Sequence, residues 1–324
     1  MNKKITNLSI LKLAAKKIGY KYGMVDSPYS EAIFVTDGER YFISRSKERY
    51  GMYPINPKFA EHLADNKSTT KRFLKKFGFR VIKGKIFYIR HVVKTDIKKG
   101  DRASAAFSYA KRITYPVFVK PNNGSRGSNA RIIFNETGLR EHIKKMKAEK
   151  VDSFLVEKFT QREEYRIFVV GGKVQFMYRK KRVSITGTGK HTIAELISEM
   201  KLKPDNKFLG NLLKNNNKTR DSILNHEQEL ILQETANISL GAEITDYIEK
   251  VPKEIDQWAN RLYKTTGLEV YGVDVFTKGK WDEPAKYLII EVNSNPALSG
   301  IYAKGHKEKV YSIWKLIMKK FFVV

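Results

Sequence analysis

The sequence contains no cysteine among its 324 residues. That absence excludes a disulfide framework, a Cys-ligated zinc site and a thiol nucleophile, and it fits a reducing compartment. Long apolar runs are missing too. The stretch from Leu8 to Ala15 is interrupted by Lys12 and is too short for a signal-peptide core. Nothing approaches the ~18 apolar residues of a membrane helix. The expectation is a cytoplasmic protein without a membrane partner. There is no internal repeat and no low-complexity tract. Among the six histidines no Ser-His-Asp or metal-ligating set is evident, and His191 and His306 read as structural. Acidic residues are scarce beside basic ones, 34 Asp and Glu against 62 Lys and Arg, a net charge of +28.

Aromatic residues are abundant, 18 Phe and 17 Tyr in a chain that is 41% hydrophobic. That is too aromatic for a disordered chain and enough for a sizeable core, in one large domain or two to three small ones. The excess positive charge attracts polyanions: nucleic acid, anionic lipid, an acidic peptide or a phosphate-bearing substrate. The charges are scattered rather than confined to a tail, so a Lys-rich solvated surface accounts for them equally well.

Periodicity and turn residues predict the following organisation. Residues 5–19 form a basic amphipathic helix stopped by Gly19. Two short strands, Ala32–Val35 and Arg40–Ser44, are joined by a hairpin-type turn. A helix runs from Asp65 to Phe77 and is capped by Gly78. Extended segments follow at Arg80–Ile82 and Lys85–Tyr88, then a helix over 101–112, strands Tyr115–Lys120 and Arg131–Phe134, and a Lys-rich helix over 137–148. Strands Phe154–Phe159, Tyr165–Val170 and Lys173–Arg179 come next, the last two joined by Gly171-Gly172. After a helix at Ile193–Met200, residues 202–245 form a polar stretch with short elements. A helix at Pro252–Thr265, strands Val270–Thr277 and Tyr287–Val292, and a helix over 305–321 complete the chain. Because several strand pairs are hairpins, the expected class is α+β with mixed sheets rather than a doubly wound parallel sheet.

Three constellations carry possible chemistry. In Tyr115-Pro-Val-Phe-Val-Lys120-Pro-Asn-Asn-Gly124-Ser125-Arg-Gly127-Ser128 a buried strand delivers a lysine to a loop of small residues whose N–H groups can wrap a polyphosphate. It is not the Walker sequence, since the lysine precedes the glycines. The second constellation is Asp274, Glu291 and Asn293. Glu291 and Asn293 stand two apart on one strand and point to one face. Asp274 lies inside the apolar run Gly272-Val-Asp-Val-Phe276, where a carboxylate needs a partner or a metal. Three hard oxygen ligands from adjacent strands suit Mg²⁺ carrying nucleotide phosphates. The third is Phe154-Leu-Val-Glu157-Lys158-Phe-Thr160-Gln-Arg-Glu163-Glu164-Tyr-Arg166, a strand ending in an acid with further acids downstream. By itself it is either a nucleotide rim or an exposed charged hinge.

In this order and spacing, from about Asp65 to Gly300, the segments resemble the ATP-grasp superfamily, whose members join a carboxylate to an amine using ATP. Glu164-Tyr-Arg166, Arg179-Lys-Lys-Arg182-Val, Gly187-Thr-Gly189-Lys-His-Thr192-Ile-Ala-Glu195, Asn237-Ile-Ser239-Leu-Gly241 and Thr245-Asp246 look in particular like the ATP-grasp modules of cyanophycin synthetases and bifunctional glutathione synthetases. The resemblance implies an α+β ATP-grasp fold, two α+β subdomains gripping ATP plus a small N-terminal region. The expected divisions are 1–65, a lid-bearing subdomain over 66–153 and a C-terminal subdomain over 154–324.

The resemblance also implies roles. Lys67 and Lys120 match the phosphate lysines, and Gly124, Ser125, Gly127 and Ser128 the lid over the γ-phosphate. Glu157, Lys158 and the backbone near Thr160 match the adenine hinge, and Glu164 the ribose acid. Asp274, Glu291 and Asn293 match the magnesium ligands, with two Mg²⁺ ions expected and Mn²⁺ as a substitute. Arg179, with Arg166 second, is expected to stabilise the acyl phosphate and the tetrahedral intermediate. The implied activity is an ADP-forming carboxylate–amine ligase acting on an amino acid or acidic peptide, with the positive surface available to capture an anionic polymer. A kinase on the same scaffold, or a polyanion-binding protein with a degenerate nucleotide site, is the alternative. Homodimers are common in the superfamily, though no residue of this sequence argues for one. The usual Gly-Asp-Gly is Gly187-Thr-Gly189 here, and the usual Asn-x-x-Pro-Gly is Asn293-Ser-Asn-Pro296-Ala297, which leaves the substrate open.

Overall fold

A computed structural model describes residues 5–25, 32–45, 51–89, 98–124, 129–200, 206–236, 238 and 241–323. The chain begins with helix α1 (Asn7–Ile18) and strands β1 (Lys21–Met24), β2 (Ala32–Thr36) and β3 (Tyr41–Arg45). Helices α2 (Lys58–Asp65) and α3 (Lys67–Lys76) lead to β4 (Gly84–Tyr88), two short 3-10 turns and α4 (Ala106–Ile113). Then come β5 (Val117–Pro121), β6 (Arg131–Ile133), α5 (Glu136–Ala148), β7 (Ser153–Lys158), β8 (Glu164–Val170) and β9 (Lys173–Lys181). After β10 (Ser184–Thr186), α6 (Ile193–Ser198), α7 (Asn206–Asn215), β11 (Glu229–Ile231) and β12 (Glu243–Ile248), helix α8 (Lys253–Thr266) precedes β13 (Val270–Phe276) and β14 (Leu288–Asn293). Helices α9 (Ser299–Ala303) and α10 (Lys307–Phe322) follow.

By their internal contacts the residues fall into two compact units, Met1–Ile82 with Tyr165–Arg179 and Asp246–Val324, and Lys83–Glu164 with Lys180–Thr245. Neither unit is continuous in sequence: residues 1–82 group with the sheet that holds β8, β9, β12, β13 and β14, and residues 180–245 group with residues 83–164.

The first unit is built on that five-stranded sheet, ordered β12-β9-β8-β13-β14. Alternation along the strands turns Ile167, Val169, Met177, Val273 and Val275 into a core shared with α2, α3 and α8. Phe168 and Phe176, on the opposite parity, stack on each other, and Phe168 meets the ring of Tyr53 edge-on. A three-stranded antiparallel sheet, β1-β2-β3, belongs to the same unit.

The second unit holds an antiparallel sheet ordered β4-β7-β5-β6. Its core joins Phe87, Val117, Val119, Phe154 and Val156 to the buried faces of α4 and α5. A smaller cluster gathers Val183, Ile185, Ile193, Leu209, Leu213 and Leu230 around the β10-β11 pair, α6 and α7.

The α+β expectation is met, and most elements lie within a few residues of their predicted ends. Gly19 and Gly267 stop α1 and α8 in the left-handed conformation that glycine alone adopts freely, at φ +98° and +72°. The helix expected over Asp65–Phe77 is instead two helices. Asn66 between them is extended, and its side chain accepts the Thr69 N–H at 3.1 Å to start α3 anew. The helix expected from residue 101 starts only at Ala106, after the two 3-10 turns. Among the described residues no helix is long and apolar enough to cross a membrane.

Candidate active site

The carboxylate cluster grows out of the pairing of β13 with β14. Asp274 stands directly opposite Glu291, and Gly272 opposite Asn293, with a register shift between Asp274 and Val275. The Asn293 side chain donates to Glu291 Oε1 at 3.1 Å through its amide nitrogen, which turns Oδ1 the other way. Sequence spacing thus placed all three on one patch, and the structure brings them together.

Arg166 enters this patch from β8. Its Nη2 donates to Asp274 Oδ2 at 2.8 Å and its Nε to Oδ1, a two-bond fork in which Asp274 is almost fully buried. Burial lowers the proton affinity of this guanidinium, but the charge and hydrogen bonds of Asp274, with Tyr178 and Glu291 adding to them, together outweigh it, so Arg166 is held even more firmly charged than a free arginine. The guanidinium needs the space over Gly272. A Cβ there would stand 3.0 Å from Arg166 Cδ and 2.8 Å from Pro296 Cβ.

Hard oxygens of Glu291, Asp274 and Asn293 fit a divalent cation by chemistry. Among the described residues no group of three or more Asp, Glu, His or Cys gathers for a metal; the set here is two carboxylates and one amide. Lys67 opens α3 and lines a narrow cavity with Lys71, Leu74, Ile289 and Glu291.

In the second unit Lys120 sits on β5 opposite Leu155 of β7, with Phe118 opposite Glu157. Residues two apart share a face, so Lys120 and Glu157 are diagonal neighbours, and Lys120 Nζ lies 3.2 Å from Glu157 Oε2. Both side chains are buried, at 7% and 1% exposure. Gly84 on β4 makes room for the acid, since a Cβ there would come within 2.7 Å of Glu157 Cγ. Lys158 is exposed, and the Thr160 hydroxyl donates to its carbonyl at 3.5 Å. Gly124 ends the described part of its loop at φ +139°. Ser125, Gly127 and Ser128 lie outside the described residues.

Glu164 forms an ion pair with Lys180, both largely buried. Lys180 carried no individual signal in the sequence, though it lies in the Arg179-Lys-Lys-Arg182 series. Burial pulls the Arg182 guanidinium down from its usual range, against the opposing pull of Glu164 and Glu229. Arg179 is not at the carboxylate patch; its Nη1 lies 3.4 Å from Asp246. Of the two arginines, it is Arg166 that stands beside Asp274. Also unanticipated were Tyr53 and Asn56, whose side chains reach the backbone around β14. His191 bonds the Thr188 hydroxyl at 3.0 Å, and His306 stacks on Tyr247.

Comparison with known proteins adds to this geometry. A family model for the ATP-binding domain of the carbamoyl-phosphate synthase L chain matches residues 67–172. The glutathione biosynthesis bifunctional protein GshAB of Listeria innocua is 27% identical over 252 residues, 73% of this chain and 31% of that protein. A cyanophycin synthetase of Crocosphaera subtropica is 29% identical over 201 residues, 56% of this chain and 23% of that protein. The chain therefore spans less than a third of the length of these relatives. Among solved structures, a bifunctional glutathione synthetase from Pasteurella multocida superposes with a TM-score of 0.50 at 20% identity, covering 90% of this chain and 40% of that one. A D-alanine–D-alanine ligase from Bacillus anthracis gives 0.51 at 14% identity, covering 82% and 69%. The similarity to the ATP-grasp modules of these two kinds of synthetase, expected from the motifs, is borne out.

Proposed function

We propose that this chain, which has the ATP-grasp fold, is an ATP-dependent carboxylate–amine ligase that forms an amide bond through an acyl phosphate. The observation that carries this reading is the Asp274–Glu291–Asn293 patch, with Arg166 forked onto Asp274 and Lys67 lining a cavity with Glu291. The similarity to synthetases of glutathione and cyanophycin supports an amino acid or acidic peptide as the substrate.

A carboxylate is a poor electrophile with no acceptable leaving group at neutral pH. In the proposed reaction its oxygen attacks the γ-phosphorus of ATP, the bond to the β-phosphate oxygen breaks, and ADP leaves. The amine then attacks the acyl carbon, loses a proton, and inorganic phosphate departs with the former carboxylate oxygen. The first step asks for charge neutralisation and alignment more than covalent participation. Asp274, Glu291 and Asn293 would hold Mg²⁺, which supplies charge neutralisation at the β- and γ-phosphates.

Lys67 and Lys120 are assigned to the phosphates. Glu157 holds the Lys120 ammonium at the end of β5, so the cation is aimed before nucleotide arrives. Gly124, Ser125, Gly127 and Ser128 are assigned to the cover over the γ-phosphate, and Glu157, Lys158 and the Thr160 backbone to the adenine. Glu164 is assigned to the ribose, and since it pairs with Lys180, ribose binding exchanges one Glu164 partner for another. For the charge that develops on the acyl oxygen, Arg166 is the better placed arginine, because its guanidinium lies beside Asp274 whereas Arg179 pairs with Asp246.

The assignment is tested with Lys120→Ala and Glu291→Ala in the full chain. Both variants are expected to keep the circular dichroism of the parent and to lose ATP turnover by about a hundredfold or more. Near-normal turnover in either one would remove that residue from the site.

A further inference from the structure

We infer that Asn56, seconded by Tyr53, is a positioning residue for the cation-holding end of β14. The inference rests on the proposed reading of Glu291 and Asn293 as cation ligands. The β13–β14 ladder ends at the pair Gly272 and Asn293. Just beyond it, Val270 and Ser294 are bridged by a side chain instead. Asn56 Nδ2 donates to the carbonyls of Val270 and Ser294, each at 2.9 Å, and its Oδ1 accepts the Val270 N–H at 2.8 Å. Both donor hydrogens and the acceptor of the amide are thereby used, and the residue is buried.

Two further contacts extend the grip. The Tyr53 hydroxyl donates to the Pro296 carbonyl at 2.5 Å, with its ring lodged against Trp314 and Phe168. At the far end of the loop, Asn7 Oδ1 accepts the N–H groups of Leu298 and Ser299, both at 3.1 Å. The segment that follows Asn293 is thus fixed at Ser294, Pro296, Leu298 and Ser299 by side chains more than 230 positions away in sequence.

The consequence reaches the ligands through one bond. Asn293 orients the Glu291 carboxylate by donating to it, and Asn293 is bonded covalently to the residue whose carbonyl Asn56 holds. A satisfied buried amide in a low-dielectric surrounding is stiff. Without it, the bridge between Ser294 and Val270 is lost, and Asn293 gains freedom to rotate away from Glu291. Groups hydrogen-bonded directly to metal ligands set cation affinity by about 10- to 100-fold each; Asn56 acts one residue further out, through Ser294, so the low end of that range is expected.

The experiment uses the full chain and four variants, Asn56→Ala, Tyr53→Phe, Glu291→Gln and Asn135→Ala. The last removes a helix cap of α5 in the other unit and serves as a control for lost stability alone. Mn²⁺ binding is followed by electron paramagnetic resonance in the presence of a non-hydrolysable ATP analogue, with thermal melting alongside and the Mg²⁺ half-saturation of phosphate release as a second readout. The expected result is about tenfold weaker Mn²⁺ binding in Asn56→Ala and a smaller weakening of about threefold in Tyr53→Phe. Asn135→Ala lowers the melting temperature and leaves Mn²⁺ binding within about twofold. Should Asn56→Ala fail to fold, Tyr53→Phe decides. If the folded Asn56 variant, or in its place the Tyr53 variant, binds Mn²⁺ like the parent while Glu291→Gln has lost it, the positioning role is overturned and the ligand reading stands. If Glu291→Gln binds Mn²⁺ normally, the ligand reading itself falls.

Discussion

The guanidinium of Arg166 lies side-on against the carboxylate of Asp274, 108 positions away in the chain, with one N–H on each oxygen. Such a pair, taken out of water, contributes little net stability as a whole. Breaking it leaves a buried charge and costs about 3–5 kcal/mol. Arg166→Met alone is therefore expected to lower the unfolding free energy by that amount. Arg166→Met combined with Asp274→Leu is expected to recover most of it. Urea unfolding of the two single variants and the double variant measures the coupling directly, and additive effects would contradict it.

Lys120 and Glu157 make the corresponding pair in the second unit, and they differ in kind from the surface ion pairs. Lys17 and Glu308, side chains 48% and 80% exposed, are worth about 0–1 kcal/mol. Lys17→Ala is expected to change the urea midpoint by no more than that implies, whereas Lys120→Met strands a carboxylate that is 1% exposed and is expected to cost about 3 kcal/mol or more. Pairing Lys120→Met with Glu157→Leu should restore stability without restoring nucleotide turnover.

Gly272 is fixed by what lies above it. A single methyl group would meet Pro296 Cβ at 2.8 Å and Arg166 Cδ at 3.0 Å, so Gly272→Ala is an overpacking change of about 1–3 kcal/mol. Because both neighbours adjoin the carboxylate patch, turnover is expected to fall together with the melting temperature. A variant of parental stability and activity would show that the Arg166 fork is not tightly confined.

The start of α6 supplies a pH-dependent element. Glu195 accepts the Thr192 N–H at 2.7 Å, and the Thr192 hydroxyl accepts the Glu195 N–H at 3.2 Å, a reciprocal capping box. The hydrogen bond from the Thr192 backbone holds the Glu195 carboxyl below its usual range. A depressed acid stabilises the fold above the ordinary glutamate range and loses that contribution as pH falls through the lowered native value. The melting temperature of the parent should therefore fall faster on acidification than that of Glu195→Gln, and the two curves should converge at the acid end. Parallel curves from neutral pH down to the acid end would contradict the assignment.

Much of the fold was legible because its signals are local. Gly19 and Gly267 stop their helices where only a left-handed residue fits, and the alternation in β8 and β13 separates the core face from the Arg166 and Asp274 face. The patch itself was legible for the same reason, since a two-residue spacing on one strand and an acid inside an apolar run define which face each occupies. What escaped lacks a periodic trace. Strand β1 is exposed or half-exposed along its length and shows no alternation. The break at Asn66 depends on a side-chain cap inside an otherwise continuous helical pattern. Helix α7 lies in a polar stretch whose helical sign is confined to the short four-residue spacings of Phe208 with Leu212 and Leu209 with Leu213, interrupted by Gly210. Asn56 and Tyr53 are polar groups whose partners are 214 to 243 positions away, so nothing near them in sequence marks their role. Arg166 had nearer acids in Glu163 and Glu164, yet strand geometry turns it toward Asp274 instead.

The most direct measurement is inorganic phosphate release from Mg²⁺-ATP, run against pooled amino acids and acidic peptides, with mass spectrometry of the products. The account predicts substrate-dependent phosphate release and a product lighter by one water than its two parts, both lost in Glu291→Ala. A stable phosphorylated product without free phosphate would make the protein a kinase, and no ATP binding at all would contradict the ligase outright.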